Sequence, residues 1–328
     1  MISNEFWRGK KVLVTGHTGF KGAWLCQWLL DIGAEVYGIA LAAEDNSLYK
    51  VLEHDKKIRS FIGDIRDSSF MQATLCTIKP EIVIHMAAQA LVRESYIAPL
   101  DTISTNVIGT ANLLNACRGL SSIKVILNVT TDKCYENKEQ VWGYREVDHL
   151  GGHDPYSSSK ACSELVTFSF YNSFFKTDGV GVATARAGNV IGGGDWAKDR
   201  LIPDIFRCLM NDTTLKVRYP RAIRPWQFVL EPLGGYLKLC ESLWGNPSKY
   251  SEPWNFGPHN HESREVGWVV TKIASRAEGL KYQFDNDATQ RLHETTTLRL
   301  DISKSMLNLR WSPRLTTSTA LEWTSDVY

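Results

Sequence analysis

A doubly wound α/β fold, a parallel sheet with a smaller C-terminal part for substrate, is predicted by three observations. Residues 11–15 (KVLVT) form a short apolar run that meets a glycine-rich turn, 16–22, and then a helical stretch. Further short apolar runs alternate with helix-length segments as far as about residue 187. After that the rhythm gives way to loops rich in Gly, Trp, Arg and Pro, at 192–196 and 218–226.

In chain order, residues 23–30 read as a helix and 34–39 (AEVYGI) as the second strand. Residues 60–63, 81–85 (EIVIH), 124–129 (KVILNV) and 181–185 (GVATA) supply the later strands, and 67–78, 101–117 and 156–175 the helices between them. Strands this continuously apolar predict burial on both faces, hence a parallel sheet between two helical layers. Residues 1–187 are expected to form a dinucleotide-binding domain, with 225–248 returning to it. Residues 188–224 and 249–328 would form the substrate domain.

Bulk properties exclude several classes. The 328 residues are 43% hydrophobic and 22% charged with a net charge of +1, which argues against a nucleic-acid partner. Seven scattered cysteines without CxxC spacing read as free thiols of a reducing compartment, with no disulfide framework and no metal site. The first ten residues lack a secretory signal, and no apolar run approaches the ~18 residues of a membrane span. A cytoplasmic protein is expected.

The turn Gly16-His17-Thr18-Gly19-Phe20-Lys21-Gly22 follows a strand and opens a helix, the context in which backbone N–H groups receive a pyrophosphate. The glycines allow the tight turn, the close approach of the anion and helix–sheet packing, so a Rossmann-type NAD site is expected. His17 and Lys21 are unusual in such a loop, and each has a solvated side chain as its ordinary alternative. The acid usually found ~20 residues further on, for the ribose 2′-hydroxyl, is absent. Residues 39–43 (IALAA) stand there, with no arginine for a 2′-phosphate either.

Tyr156 and Lys160 are four apart at the start of a helix and share a face. A phenol with a pKa of about 10 is a poor base; a nearby ammonium and an oxidised nicotinamide would favour its phenolate. Thr131-Asp132-Lys133 ends the preceding strand.

Together these motifs resemble the extended short-chain dehydrogenases/reductases that act on nucleotide sugars. The resemblance spans nearly the whole chain, including Gly109-Thr110 and residues 298–304 (LRLDISK). It implies that Asp64 and Ile65 meet the adenine, that Ala87, Ala88, Gln89 and Asn106 form a second cofactor wall, and that Tyr156 and Lys160 work beside the nicotinamide of NAD. Thr131-Asp132-acid/base looks like a 4,6-dehydratase, with Asp132 as acid to the leaving C6 hydroxyl. Lys133 departs from the glutamate better known there as the C5 base. Residues 16–22 (GHTGFKG), 188–196 (GNVIGGGDW) and 224–232 (RPWQFVLEP) are similar to those of dehydratases acting on CDP-glucose. By the same resemblance Asn189, Arg200, Arg224, Asn255 and, more weakly, Arg218 meet the nucleotide. Gln89 and Ser95 would face the glucose, and two long helices would join a homodimer. Two alternatives are a nucleotide-sugar 4-epimerase, which would leave Asp132 and Lys133 without a chemical role, and a non-catalytic cofactor sensor, which has no need of the phenolate.

Overall fold

The structure, a computed structural model, describes residues 2–285 and 295–328. Strands β1 (Lys11–Thr15), β2 (Glu35–Ala40), β3 (Arg59–Ile62), β4 (Ile82–His85), β5 (Val125–Val129), β6 (Gly181–Ala187) and β7 (Pro253–Phe256) form one sheet in the order β7-β6-β5-β4-β1-β2-β3. Every neighbouring pair is parallel. Alternate residues feed two cores: Val12, Val14, Ile82, Ile84, Val125 and Leu127 pack on one face, and Leu13, Val83, Ile126 and Val182 on the other. This double burial explains why the strands read as unbroken apolar runs.

The helices supply the covering layers. Helix α1 (Phe20–Asp31) buries Leu25, Cys26 and Leu29. Helix α2 (Ser68–Ile78) starts at Asp67, whose carboxylate accepts the Phe70 N–H at 2.9 Å. Helix α3 runs through Pro99–Ile103, a π-turn at Ser104–Ile108 and Gly109–Cys117. Helix α4 (Pro155–Phe170), capped by Asp154 and continued by a π-turn at Tyr171–Phe175, lies beside it. Helices α5 (Leu201–Met210) and α6 (Leu230–Gly245) follow.

The return to the sheet extends further than the expected 225–248. That segment yields α6, but the strand that follows, β7, pairs with β6 and belongs to the main sheet. Four residues are too few to display a period, and Trp254, Asn255 and Phe256 are all buried. Three two-stranded ribbons build the remainder around the strand ends: Val190–Ile191 with Gln227–Phe228, Ile223–Arg224 with Arg264–Glu265, and Leu215–Val217 with Tyr282–Phe284. Among the described residues no helix is long and apolar enough to cross a membrane, and no side-chain cluster could hold a metal ion. All seven cysteines are free.

Candidate active site

Strand order reverses between β1 and β4, and a crevice opens where the carboxyl ends of these strands diverge. A cleft of about 920 Å³ starts there and extends to the ribbon around Lys216 and Val217.

The glycine loop forms one wall because nothing larger fits. A Cβ on Gly22 would lie 2.1 Å from the Gly16 carbonyl oxygen, and one on Gly16, at φ +74°, would lie 2.8 Å from the Ala87 nitrogen. The loop thus leads tightly into the N-terminus of the twelve-residue α1, a cradle that fits the pyrophosphate of NAD. Thr18, Gly19, Phe20 and Lys21 line it. His17 does not face solvent; it is fully buried against Gly38 and Tyr49, with its Nε2 2.6 Å from the Ser60 hydroxyl. Burial pushes its pKa down to about 4.

Opposite, Thr15 joins β1 to β4. Its hydroxyl accepts the N–H groups of Met86 and Ala87, each at 3.1 Å, and therefore donates to His85 Nδ1 at 2.7 Å. His85 is thereby a neutral Nε2–H tautomer, which reaches Thr110 at 3.1 Å. Burial takes its pKa to about 3. Ala87 and Ala88 face the cleft, as do Asp64 and Ile65. Asp64 is gripped by Arg66 through Nε at 2.9 Å and Nη2 at 2.7 Å, which holds its carboxyl below the usual range.

Several expected site residues have their side chains committed elsewhere and do not line the cleft. Asn106, in the π-turn of α3, brackets Gln89, accepting its N–H at 2.9 Å and donating to its carbonyl at 3.0 Å; it also donates to Ser159. Ser95 is fully buried and donates to the Val92 carbonyl at 2.6 Å. Asn255 is fully buried, donating to the carbonyls of Tyr144 (2.8 Å) and Asp301 (3.0 Å) and accepting from the Tyr135 hydroxyl (2.7 Å). Gln89 likewise turns its side chain to Leu91 and Thr102. These polar side chains are held by hydrogen bonds within the framework.

Tyr156 faces the cleft beside Thr131, Asp132 and Lys133. Burial raises its pKa to about 12, opposed by Thr131 and Arg200, while Asp132 adds to the rise. In the chain alone, therefore, burial disfavours the phenolate. Lys160 is nearly buried and donates to the Val129 carbonyl at 3.2 Å. Asp132 is only 1% exposed. One carboxylate oxygen accepts from the Thr131 hydroxyl at 3.1 Å and lies 4.0 Å from Lys133 Nζ; the other has no hydrogen-bond partner. Lys133 is about one-third exposed. Lys21 is the more deeply held lysine: burial, then Lys160 and Arg200, lower its pKa to about 7 against the pull of Asp132.

The same cleft is also lined by Asn189, Arg200, Arg218 and Arg224. Arg200 is oriented by buried Asp195, at 2.9 Å. Arg224 is buried, with its guanidinium donating to the carbonyls of Ile223 and Thr295. Arg93 and Arg218 both approach Asp199, at 3.1 and 3.6 Å. Sequence reasoning missed Asp195 and Arg93; both become visible only when the loop after β6 folds over the helix after β4.

Comparison with known proteins places this geometry among relatives. The CDP-glucose 4,6-dehydratase of Salmonella typhimurium is 50% identical over 320 residues, 96% of this chain and 89% of that protein. The NAD complex of dTDP-glucose 4,6-dehydratase from Bacillus anthracis has the same fold, with a TM-score of 0.80, 20% identity and coverage of 98% and 96% of the two chains. UDP-glucose 4-epimerase of Thermus thermophilus, also with NAD, superposes with a TM-score of 0.83 at 22% identity, covering 96% and 98%. A family model described as GDP-mannose 4,6 dehydratase matches residues 13–324. The chain, α/β in fold, belongs by sequence to that family of nucleotide-sugar dehydratases.

Proposed function

We propose that this chain dehydrates CDP-glucose to CDP-4-dehydro-6-deoxyglucose with NAD as a tightly used, regenerated cofactor. The observation that carries the reading is Asp132: a buried carboxylate on the cleft, beside Thr131 and Tyr156, with one oxygen unpartnered. Such an oxygen is costly unless a ligand group completes it. A 4-epimerase would need no second proton-transfer group there. The relative from Salmonella supports the choice of CDP-glucose.

When bound, NAD supplies the hydride acceptor for C4 and later the donor for C6. Gly16, Gly19 and Gly22 seat its pyrophosphate, with Thr18 and Phe20 alongside and Asp64 and Ile65 toward the adenine. Tyr156 takes the O4 proton, Thr131 hydrogen-bonds the same oxygen, and Lys160 anchors the cofactor side of the pair. The resulting ketone acidifies C5–H, and Asp132 protonates the departing C6 hydroxyl. Lys133, on the same side of the cleft, accepts the C5 proton and, after exchange with solvent, returns one to C5 as C6 takes back the hydride. Arg200, Arg218, Arg224 and Asn189 hold the diphosphate and nucleoside, because guanidinium forks match phosphate oxygens. A second copy of the chain covers the apolar flank of α3 and α4, where Leu100, Ile103, Ile108 and Leu165 stand exposed.

Deuterium at C4 of CDP-glucose tests the cycle. The label should appear on the C6 methyl, the product should lack one water, and reaction in heavy water should place deuterium at C5. Label returned to C4 would make the chain an epimerase; label lost to free reduced cofactor would make it a simple dehydrogenase. A preference for another nucleotide would remove only the cytidine assignment.

A further inference from the structure

Behind the cleft, between α4 and β6, lies the only fully buried ion pair among the described residues, Glu164 with Arg186. Glu164 is saturated. One oxygen accepts from the Thr130 hydroxyl and from Arg186 Nε at 3.0 Å; the other accepts from the Thr184 hydroxyl at 2.6 Å and Arg186 Nη2 at 2.8 Å. Arg186 continues to the Tyr135 hydroxyl at 2.9 Å, over whose ring it also stacks. Enclosing two charges is poor value as stabilisation alone, since well-packed apolar replacements are often as stable or more so. The position of the pair explains more than its energy does.

Glu164 stands one helical repeat beyond Lys160 and two beyond Tyr156, so all three share one face of α4. Its partner Thr130 follows Val129, the carbonyl that receives Lys160, and precedes Thr131 and Asp132. The backbone N–H of Thr130 is itself held by Ala185 on β6 at 2.9 Å. One carboxylate thus fixes the turn from which the catalytic hydroxyl, acid and lysine acceptor all project. It is also the anion facing Lys160 from its own helix. The other ionisable groups that bear on that site are Tyr156 on α4, Asp132 and the Cys134 thiol after β5, Lys21 in the glycine loop, His85 on β4 and Arg186 behind Glu164. Burial draws the Lys160 ammonium down to a pKa of about 8, and the Glu164 charge opposes that fall.

We propose that Glu164, locked by Arg186, is a positioning residue of the reaction: it holds the Val129–Asp132 turn and keeps Lys160 cationic beside Tyr156. The inference rests on the assignment of Tyr156 and Lys160 as the catalytic pair. Removing the negative charge disfavours the ammonium, so the pH at which Lys160 loses its proton must fall. The limb of the activity profile that declines at high pH then moves toward acid.

The test uses the full chain with NAD and CDP-glucose. Glu164→Gln should move the high-pH limb of kcat/KM acidward by about one unit, the scale of a nearby opposite charge. Because that variant strands Arg186, Glu164→Gln/Arg186→Met removes both charges; it should regain thermal stability while its limb stays displaced and the KM for CDP-glucose is unchanged. A native limb in either folded variant, or recovery of both stability and limb in the double variant, would overturn the proposal. So would failure of both to fold, which would make Glu164 a stability residue only. Tyr156→Phe keeps the two questions apart. Near-native turnover in it removes the catalytic assignment, whereas lost turnover beside a native Glu164→Gln profile removes only the positioning role.

Discussion

Lys21 shows how a single side chain can be held at a cost to the fold. Burial first, then the neighbouring charges of Lys160 and Arg200, lower its pKa from 10.5 to about 7. Below about pH 7 folded and unfolded chains both carry the proton, and the full penalty of keeping this cation in the cleft is present. Between about 7 and 10.5 the unfolded chain still binds the proton that the folded chain has released, so the penalty is relieved as pH rises. Lys21→Met should therefore raise the Tm of the cofactor-free chain more at about pH 6 than at about pH 9. An equal gain at both values, in thermal melts, would mean that Lys21 is solvated. Its neighbour His17 carries the complementary lesson about legibility. The sequence marks it as unusual but cannot reveal that Gly38, on another strand, leaves exactly the space its ring fills; a Cβ there would lie 2.3 Å from His17 Cγ. Glu164 was less legible still, since within SELVTF it reads like any helical glutamate. Only the parallel pairing of β5 with β6 brings Thr130, Thr184 and Arg186 around it.

Elements with a strong local signal were readable, and those without one were not. β1, the glycine turn and α1 announce themselves through the abrupt change from an apolar run to a glycine pattern, and the structure adds one reason for that pattern. At Gly22 a methyl group would meet the Gly16 oxygen at 2.1 Å and His17 Cα at 2.8 Å, all backbone contacts that no rotamer can relieve. Gly22→Ala should lower stability by about 1–3 kcal/mol, as overpacking does, and weaken NAD binding by distorting the cradle. Urea unfolding and cofactor titration measure the two effects. Gly245→Ala at the end of α6, where a Cβ meets nothing within 4 Å, is the matched control and should lower neither. Long helices were legible as lengths but not as geometry: residues 101–117 carry a π-turn around Asn106 that no periodicity signals. β7 escaped because it is only four residues long and Trp254, Asn255 and Phe256 are buried in succession, so it shows neither alternation nor length.

At the scale of the whole molecule, the main sheet and the C-terminal segment are tied together, and Asn255 shows how. It lies on β7, the edge strand of the main sheet. Its side-chain amide donates to Tyr144, in the segment after the Thr131–Lys133 turn, and to Asp301, in the C-terminal segment, while Tyr135 donates to its oxygen. Its backbone adds two more ties, its N–H donating to Glu146 at 2.8 Å and its carbonyl accepting from Ser305 at 2.6 Å. Tyr135 in turn accepts from Arg186, so the same network reaches Glu164 and the back of α4. Resemblance alone makes Asn255 a nucleotide contact; its bonds make it the junction of three chain segments. Asn255→Ala removes the side-chain donor to the Asp301 carbonyl and the acceptor of the Tyr135 hydroxyl, each worth about 1–3 kcal/mol when left unpaired, while the Tyr144 carbonyl keeps the Asp301 N–H at 2.9 Å. The variant should unfold at markedly lower urea, in one cooperative transition because sheet and substrate part lose the same tie. Below its unfolding range, its KM for CDP-glucose should be native. A KM raised several-fold with stability intact would place Asn255 at the nucleotide after all, and separate unfolding of two parts would show that the junction is weaker than its bonds imply.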